Sequence, residues 1–279
     1  MPRFSPLSLD AIYSTLATHS FGRRIELRDQ VGSTNREAVA LAQAGAEQGT
    51  VVVAESQTEG RGRLSRQWFS PPDINLYCSI IIRKPANNDR LAEWLSWLPL
   101  MTALAAAESI ESVASVSVSV KWPNDLLLGE RKVGGILCES GTDAGSKPFQ
   151  VIGIGFNLNG ERKDFPEDLR DSATTIYQES GRYIDRNRLL AQFLQELETC
   201  VEEFESRGSE RVARAYRQHC STIGKTVKAM LTDGKEFVGL AEAIEQDAAL
   251  RVIQRPLPTD GHPPKIHLLR VADIIHVRT

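Results

Sequence analysis

The sequence predicts an α+β protein, a large part in which strands and helices alternate, followed by a small C-terminal β-barrel. Three observations carry this. Apolar or alternating runs of strand length recur at 50–54, 76–82, 115–120 and 151–159, with helical spacing between some of them. One long amphipathic stripe, Leu189, Leu190, Phe193, Leu194, Leu197 and Val201 to Phe204, is opened by Asp185 as N-cap and stopped by Gly208. From Thr222 onward the pattern changes to short strands separated by turn signals, the mark of a small barrel. The expected divisions are 1–24, 25–221 and 222–279.

Composition sets the outer limits. With 279 residues, 41% hydrophobic and 25% charged, the chain has the make-up of an ordinary globular protein with a sizeable core. A formal net charge of -3 argues against a surface built for nucleic acid or anionic membrane, so any basic site must be local. Cys78, Cys138, Cys200 and Cys220 are scattered and form no C-x-x-C pair, which indicates neither a disulfide scaffold nor a zinc site. No secretory leader or membrane-length apolar run occurs, and a cytoplasmic location is expected.

Taken in order, residues 1–24 hold one short amphipathic helix on Leu9, Ile12, Tyr13 and Leu16, too little for a helix-turn-helix domain. A strand at Ile25 to Leu27 leads to Ser33-Thr34-Asn35. Thr34 and Glu37 have capping-box spacing, and Ala38, Leu41 and Ala42 continue a helix that ends at Gly45. Ser33 and Thr34 can therefore be simple caps, or hydroxyls offered with free N–H groups to a polar ligand head. The apolar strand Thr50 to Ala54 delivers Gln57 and then Gly60-Arg61-Gly62-Arg63-Leu64-Ser65-Arg66-Gln67-Trp68. In that loop the glycines permit close backbone approach, the arginines supply forked donors for carboxylate or phosphate, and Trp68 offers a flat face. A solvated basic loop beside a core tryptophan is the alternative.

Leu76 to Ile82 reads as the next buried strand, and Asn88 to Ser112 as a helix with Ser96 as N-cap and Pro99 in its first turn, its Trp94 and Trp97 serving packing. Ser115 to Val120 alternates strictly as a half-buried strand and ends in Lys121-Trp122-Pro123-Asn124-Asp125. A hairpin follows, with Lys132 at its mouth and the pair Gly134-Gly135 beyond. Val151 to Asn159 carries Gly153 and Gly155 on one face, which either packs closely or is covered by something flat. After the Asp185 helix comes a second one from about Glu210 to Cys220. Short strands then run at Thr226 to Leu231, Lys235 to Gly239, Leu250 to Ile253, Lys265 to Leu269 and Ile274 to Val277.

Several nucleotide signatures fail. Gly224-Lys225-Thr226 lacks the earlier glycine of a P-loop because His219 stands there, and Gly153-Ile154-Gly155 lacks the third glycine of a dinucleotide fingerprint. Nor is there a G-x-S-x-G or an H-E-x-x-H.

Ser33-Thr34-Asn35, Gln57 to Trp68, Lys121 to Asp125, Lys132 to Ile136 and Gly153 to Asn157, taken together in this order and spacing, resemble biotin protein ligases. The resemblance implies a class II synthetase-like catalytic domain, a mixed sheet with helices on one face, plus an SH3-like C-terminal barrel. It implies the substrates ATP and biotin with Mg²⁺, a biotinyl-5'-adenylate intermediate, and a biotin carboxyl carrier protein as acceptor. No DNA or membrane partner is expected of this short form without an N-terminal DNA-binding domain, and the chain would be a monomer or homodimer. Carried over by position, Ser33, Thr34, Asn35, Gln57, Gly60, Arg61, Lys132 and Gly135 match the biotin site. Arg63, Arg66, Trp68, Lys121 and Asn157 match the nucleotide site, and Lys132, Arg63 and Asp125 are the candidate catalytic groups. Asp125 would accept a proton or simply form the turn after Asn124; no metal ligand is assigned. Joining two anions demands a cationic clamp, for which Arg63, Arg66 and Lys132 qualify. Where the family usually continues its loop as Arg-Gly-Arg, Leu64-Ser65-Arg66 stands here. A lipoyl or octanoyl ligase or transferase is the alternative enzyme, and a biotin-sensing regulator the non-enzyme one.

Overall fold

The computed structural model describes residues 6–83, 91–254, 263–270 and 272–277. Its elements, in chain order, are α1 (Leu9–Thr15), β1 (Ile25–Val31), α2 (Thr34–Gln43), β2 (Val51–Gln57), β3 (Leu76–Arg83), α3 (Leu91–Ala114), β4 (Ser119–Lys121), β5 (Asp125–Leu128), β6 (Arg131–Thr142) and β7 (Pro148–Phe156). There follow α4 (Ile176–Ser180), α5 (Arg186–Arg207), α6 (Ser209–His219), β8 (Thr226–Met230), β9 (Glu236–Ile244), β10 (Leu250–Gln254), β11 (Lys265–Leu269) and β12 (Asp273–His276).

The seven strands β1 to β7 form one sheet in the order β1-β2-β3-β7-β6-β5-β4. Only β1 and β2 run parallel; every other neighbouring pair is antiparallel, so the sheet is mixed as expected. Period-two alternation sorts its apolar residues to two faces. Val51, Val53, Cys78, Ile80 and Ile82 join the main core with Trp97 of α3 and Phe193 of α5. Val52, Ile81 and Val151 pack instead against Ala38 and Ala42 of α2 in a second cluster. Helices therefore cover both faces, where the resemblance implied one. The short N-terminal helix is tied to α5: Glu198, within α5, accepts the backbone N–H groups of His19, Ser20 and Phe21 at 2.6 to 2.9 Å.

Two local expectations change. Ser96 does not open a helix; it lies inside α3 and its hydroxyl donates to the Ala92 carbonyl at 3.0 Å, while Pro99 sits mid-helix. A 24-residue apolar helix packed on α5 tolerates the lost hydrogen bond because packing, not propensity, holds it. Its first expected residue, Asn88, lies outside the described residues. The helix also runs on to Ala114, and Ser115 takes a left-handed φ of 55° to end it, so that only Ser119–Lys121 of the alternating Ser-Val run becomes strand.

The largest correction concerns the C-terminal part. Strands β8 to β12 form a five-stranded sheet in the order β11-β10-β9-β8-β12, and among the described residues no ladder joins β11 to β12. The sheet is open and is not an SH3-like β-barrel. It has no need to close on itself, because its inner face is buried against the rest of the molecule. Val227, Ala229, Ala241, Leu250 and Val252 are continuous with the main core. Trp97 Nε1 donates to the Gln246 carbonyl at 2.8 Å and Trp122 Nε1 to that of Ala248 at 3.4 Å, which pins the β9–β10 turn to α3 and to the end of β4. No described helix is long and apolar enough to cross a membrane.

Candidate active site

A cavity of about 540 Å³ opens where the large sheet, the glycine-arginine loop and the small sheet meet. Its floor is a patch of bare strand. Gly135 on β6 stands opposite Gly155 on β7 in the ladder, with Gly153 two residues further along. Side chains are excluded here by close approach. A Cβ at Gly155 would lie 2.3 Å from Trp68 Nε1, and one at Gly153 would lie 1.9 Å from Asn35 Oδ1. The flat group that covers the shelf is thus Trp68, the chain's own indole. Its Nε1 is buried without a hydrogen-bond partner among the described residues.

One part of the cavity is a network of hydroxyl and amide groups that ends on one carboxylate, Glu139, itself paired with Arg61 at 3.0 Å. Ser33 is the N-cap of α2, yet its side chain makes no capping bond, and the first helical N–H, that of Thr34, turns to Gln57. Thr34 donates its backbone N–H to Gln57 Oε1 at 2.8 Å, and its hydroxyl lies 3.2 Å from the same oxygen. Gln57 Nε2 in turn donates to Ser70 Oγ at 2.9 Å. Asn35 is held by Ser79 Oγ at 2.6 Å and donates to Glu139 Oε2 at 2.8 Å. Ser33, Thr34 and Asn35 are all buried. The capping reading of Thr34 and Glu37 gives way to this network, which gathers hydroxyl and amide groups against the cavity, with Ser33 as the N-cap.

The other end is cationic. Lys132 Nζ lies 2.5 Å from Asp125 Oδ1 and 5.3 Å from the centre of the Trp68 ring. Lys121 Nζ lies 4.0 Å from the other Asp125 oxygen, and burial holds that ammonium below the usual lysine range even with the carboxylate beside it. Lys132 is fixed by its backbone: its N–H donates to the Ser172 carbonyl at 2.8 Å and its carbonyl accepts from Thr174 N at 2.9 Å and Asn157 Nδ2 at 3.4 Å. Arg61, by contrast, belongs with the hydroxyl and amide network, since its partner Glu139 also accepts from Asn35. Arg63 donates to Asn124 Oδ1 at 2.8 Å and to the Ala272 carbonyl at 3.0 Å, and Arg66 pairs with Asp273. Burial lowers the Arg63 pKa, which lies so far above neutral that the guanidinium keeps its charge.

The structure brings Ser33, Thr34, Asn35, Gln57, Arg61 and Gly135 to this cavity, together with Arg63, Arg66, Trp68, Lys121, Asp125, Lys132 and Asn157. Gly60 is not among the lining residues. It lies beneath the loop, where a Cβ would come within 2.3 Å of the Trp68 carbonyl oxygen, so it serves the loop's packing. The sequence reading missed two groups of lining residues. Phe165, Leu169, Ser172 and Ala173 come from a segment of single 3-10 turns with no periodic pattern, while Lys225, Asp273, Ile275 and His276 come from the small sheet. Lys225 did stand out, but within an incomplete phosphate-loop motif. Among the described residues no three His, Cys, Asp or Glu side chains gather into a metal cage. Cys138 lies behind the cavity, and burial pushes its thiol up to about 12, far from a thiolate nucleophile at neutral pH.

The profile of the Biotin/lipoate A/B protein ligase family matches residues 27–159. The biotin–[acetyl-CoA-carboxylase] ligase of Mycobacterium tuberculosis is 32% identical over 257 residues, 92% of this chain and 90% of that protein. The bifunctional ligase/repressor of Bacillus subtilis is 32% identical over 244 residues, 88% of this chain and 74% of that one. The structure of the biotin protein ligase of Aquifex aeolicus in complex with biotin and ATP superposes with a TM-score of 0.75 at 27% identity, covering 91% of this chain and all of that one. With relatives of this identity spanning most of both chains, and with the matched blocks gathered around one cavity, the chain belongs to the biotin protein ligase family.

Proposed function

We propose that this protein joins biotin to a lysine of a biotin carboxyl carrier protein, such as the carrier subunit of acetyl-CoA carboxylase, in two steps driven by ATP. The observation that carries the reading is the polarity of the cavity, which has a buried hydroxyl and amide network on one side and Lys121, Lys132, Arg63 and Arg66 on the other. Ser33, Thr34 and Gln57 hold the ureido head of biotin, and Asn35 braces them through Ser79. The valeryl chain then runs toward Lys132, bringing the biotin carboxylate to the α-phosphate of ATP. A carboxylate oxygen attacks phosphorus and pyrophosphate leaves. Lys132, Arg63 and Arg66 offset the charge that accumulates as two anions meet. In the second step the carrier's amine, freed of its proton, attacks the acyl carbon and AMP departs. Asp125 orients Lys132 and is placed to accept that proton. Trp68 and Asn157 flank the adenine, and the segment around Phe165 and Leu169 supplies its apolar wall.

Mg²⁺ is compatible with this site as an ion held chiefly by the triphosphate and waters, since it commonly needs few protein oxygens, and Asp125 stays with Lys132 and Lys121. When bound it would neutralise phosphate charge. We assign catalysis to residues 25–221 and closure of the nucleotide end to 222–279. The test is incubation with ATP, labelled biotin and a carrier domain, with lipoate as competitor. Label on the carrier lysine that requires ATP and resists excess lipoate is expected. Lipoate transferred in place of biotin would assign the chain to the other branch of the family.

A further inference from the structure

The glycine-arginine loop is tethered to the small sheet rather than left free at the cavity mouth. Arg66 forks onto Asp273, with Nη1 to Oδ1 at 3.4 Å and Nη2 against Oδ2, and Arg63 donates to the neighbouring Ala272 carbonyl. Asp273 and Ala272 lie on β12 and just before it, more than 200 positions along the chain. Between the two tethers the loop is strained: Leu64 and Ser65 take left-handed φ of 54° and 59°, and Leu64 is 58% exposed. Non-glycine residues hold that conformation only where their surroundings over-determine it. Within the loop the backbone bonds are Trp68 N to Gly60 O at 2.9 Å, Gly62 N to Arg66 O and Arg66 N to Arg63 O, with an antiparallel bridge between Arg61 and Gln67, and all of them close the loop on itself. The two arginine contacts are what join this closed loop, with its left-handed Leu64-Ser65 turn, to the small sheet.

We propose that Asp273 is a positioning residue that parks Arg66 in the nucleotide-free protein, and that a phosphate group of the nucleotide replaces it as the arginine's partner. The inference rests on the nucleotide assignment of Arg66 given above. A carboxylate and a phosphate compete for the same guanidinium fork, so binding of the nucleotide exchanges one charge-assisted pair for another. Asp273 also lines the cavity, where its negative charge opposes an incoming triphosphate until the loop releases it. The strained Leu64-Ser65 turn relaxes when the fork lets go, which favours the exchange.

Two measurements on Asp273→Asn test this. The substitution is nearly isosteric and the arginine partner is well exposed, so the thermal midpoint should stay close to that of the wild type. Without ligand, trypsin should cut after Arg63 and Arg66 about two- to fivefold faster in the variant, the scale of one partly exposed ion pair. ATP should bind the variant about two- to fivefold more tightly, because its competitor is gone. Asp273→Glu should restore both wild-type values. Equal cleavage in wild type and variant overturns the tether; faster cleavage with unchanged or weaker ATP binding overturns the exchange. If the wild type binds neither ATP nor biotin, the functional reading fails, while the ligand-free cleavage comparison still decides on the tether.

Discussion

Lys132 and Asp125 stand 2.5 Å apart, and Lys121 approaches the same carboxylate from the other side. This geometry changes what each substitution should do. Under the proposed mechanism Lys132→Ala removes the ammonium assigned to the developing charge in both steps, and losses on the order of 10²-fold are expected in adenylate formation and in transfer from preformed adenylate. Unchanged single-turnover rates in both would remove Lys132 from the mechanism. Asp125→Asn leaves the ammonium in place but frees its orientation. If Asp125 acts chiefly through Lys132, both steps slow together; if it acts only as the proton acceptor, transfer alone slows. Pre-forming the adenylate and timing its delivery to the carrier separates the two outcomes.

At the scale of elements, the site depends on strands stripped of side chains and on a loop that crosses them. Gly153→Ala and Gly155→Ala look alike in sequence and should differ in cost. At Gly155 the new methyl meets the Trp68 indole, which sits on a loop and can lift away, so roughly 1–3 kcal/mol is expected with loss of the stacked indole. At Gly153 it meets Asn35, which is locked to Ser79, Leu137 and Glu139 and cannot yield without abandoning buried hydrogen bonds; about 3 kcal/mol or more should be lost. Urea midpoints that rank the two the other way would contradict this account. The loop makes a separate prediction. Arg63→Gly removes the contacts to Asn124 and Ala272 and, on the proposed reading, a cation beside the phosphate, so the reactive adenylate should escape about ten- to a hundredfold more readily and label surface lysines of an inert protein. Carrier-only labelling by wild type and variant alike would remove the retention role. Much of this element-scale arrangement was legible. Alternating and apolar runs gave most strands, and glycine spacing marked the shelf, because these patterns are local. The identity of the flat group on the shelf was not legible, since Trp68 reaches Gly155 only through the fold. Nor was the Lys132 clamp from Ser172 and Thr174, which is made by backbone atoms of a segment without periodicity.

Across the whole molecule, the two sheets share one core, and the residues that join them decide how the cavity is closed. The sequence reading expected a barrel because five short strands with turns look the same whether they close or not. What decides is the apolar face that Trp97 and Trp122 cover, a long-range fact. Thr222 sits at the junction, where its hydroxyl accepts the Trp122 N–H at 3.0 Å and lies 3.1 Å from His276 Nε2 on β12. With one N–H already accepted, the hydroxyl proton is available to the imidazole, an arrangement suited to a neutral ring. Burial, then the Lys225 and Lys121 ammoniums, push His276 down to about 4, against a weaker opposing effect of Glu130. In the unfolded chain the same histidine takes up its proton near the ordinary value of about 6.5. Between those two values the unfolded state binds a proton that the native state refuses, so native stability falls as pH drops from about 6.5 toward 4 and is unaffected by this group above that window. Gln at this position offers Thr222 an acceptor and does not titrate. His276→Gln should therefore flatten the decline of the thermal midpoint between pH 6.5 and 4 while leaving the value at pH 8 nearly unchanged. All other titrating groups are common to both proteins, so their difference isolates the histidine. Parallel curves for wild type and variant across that window would show that the junction does not hold His276 neutral.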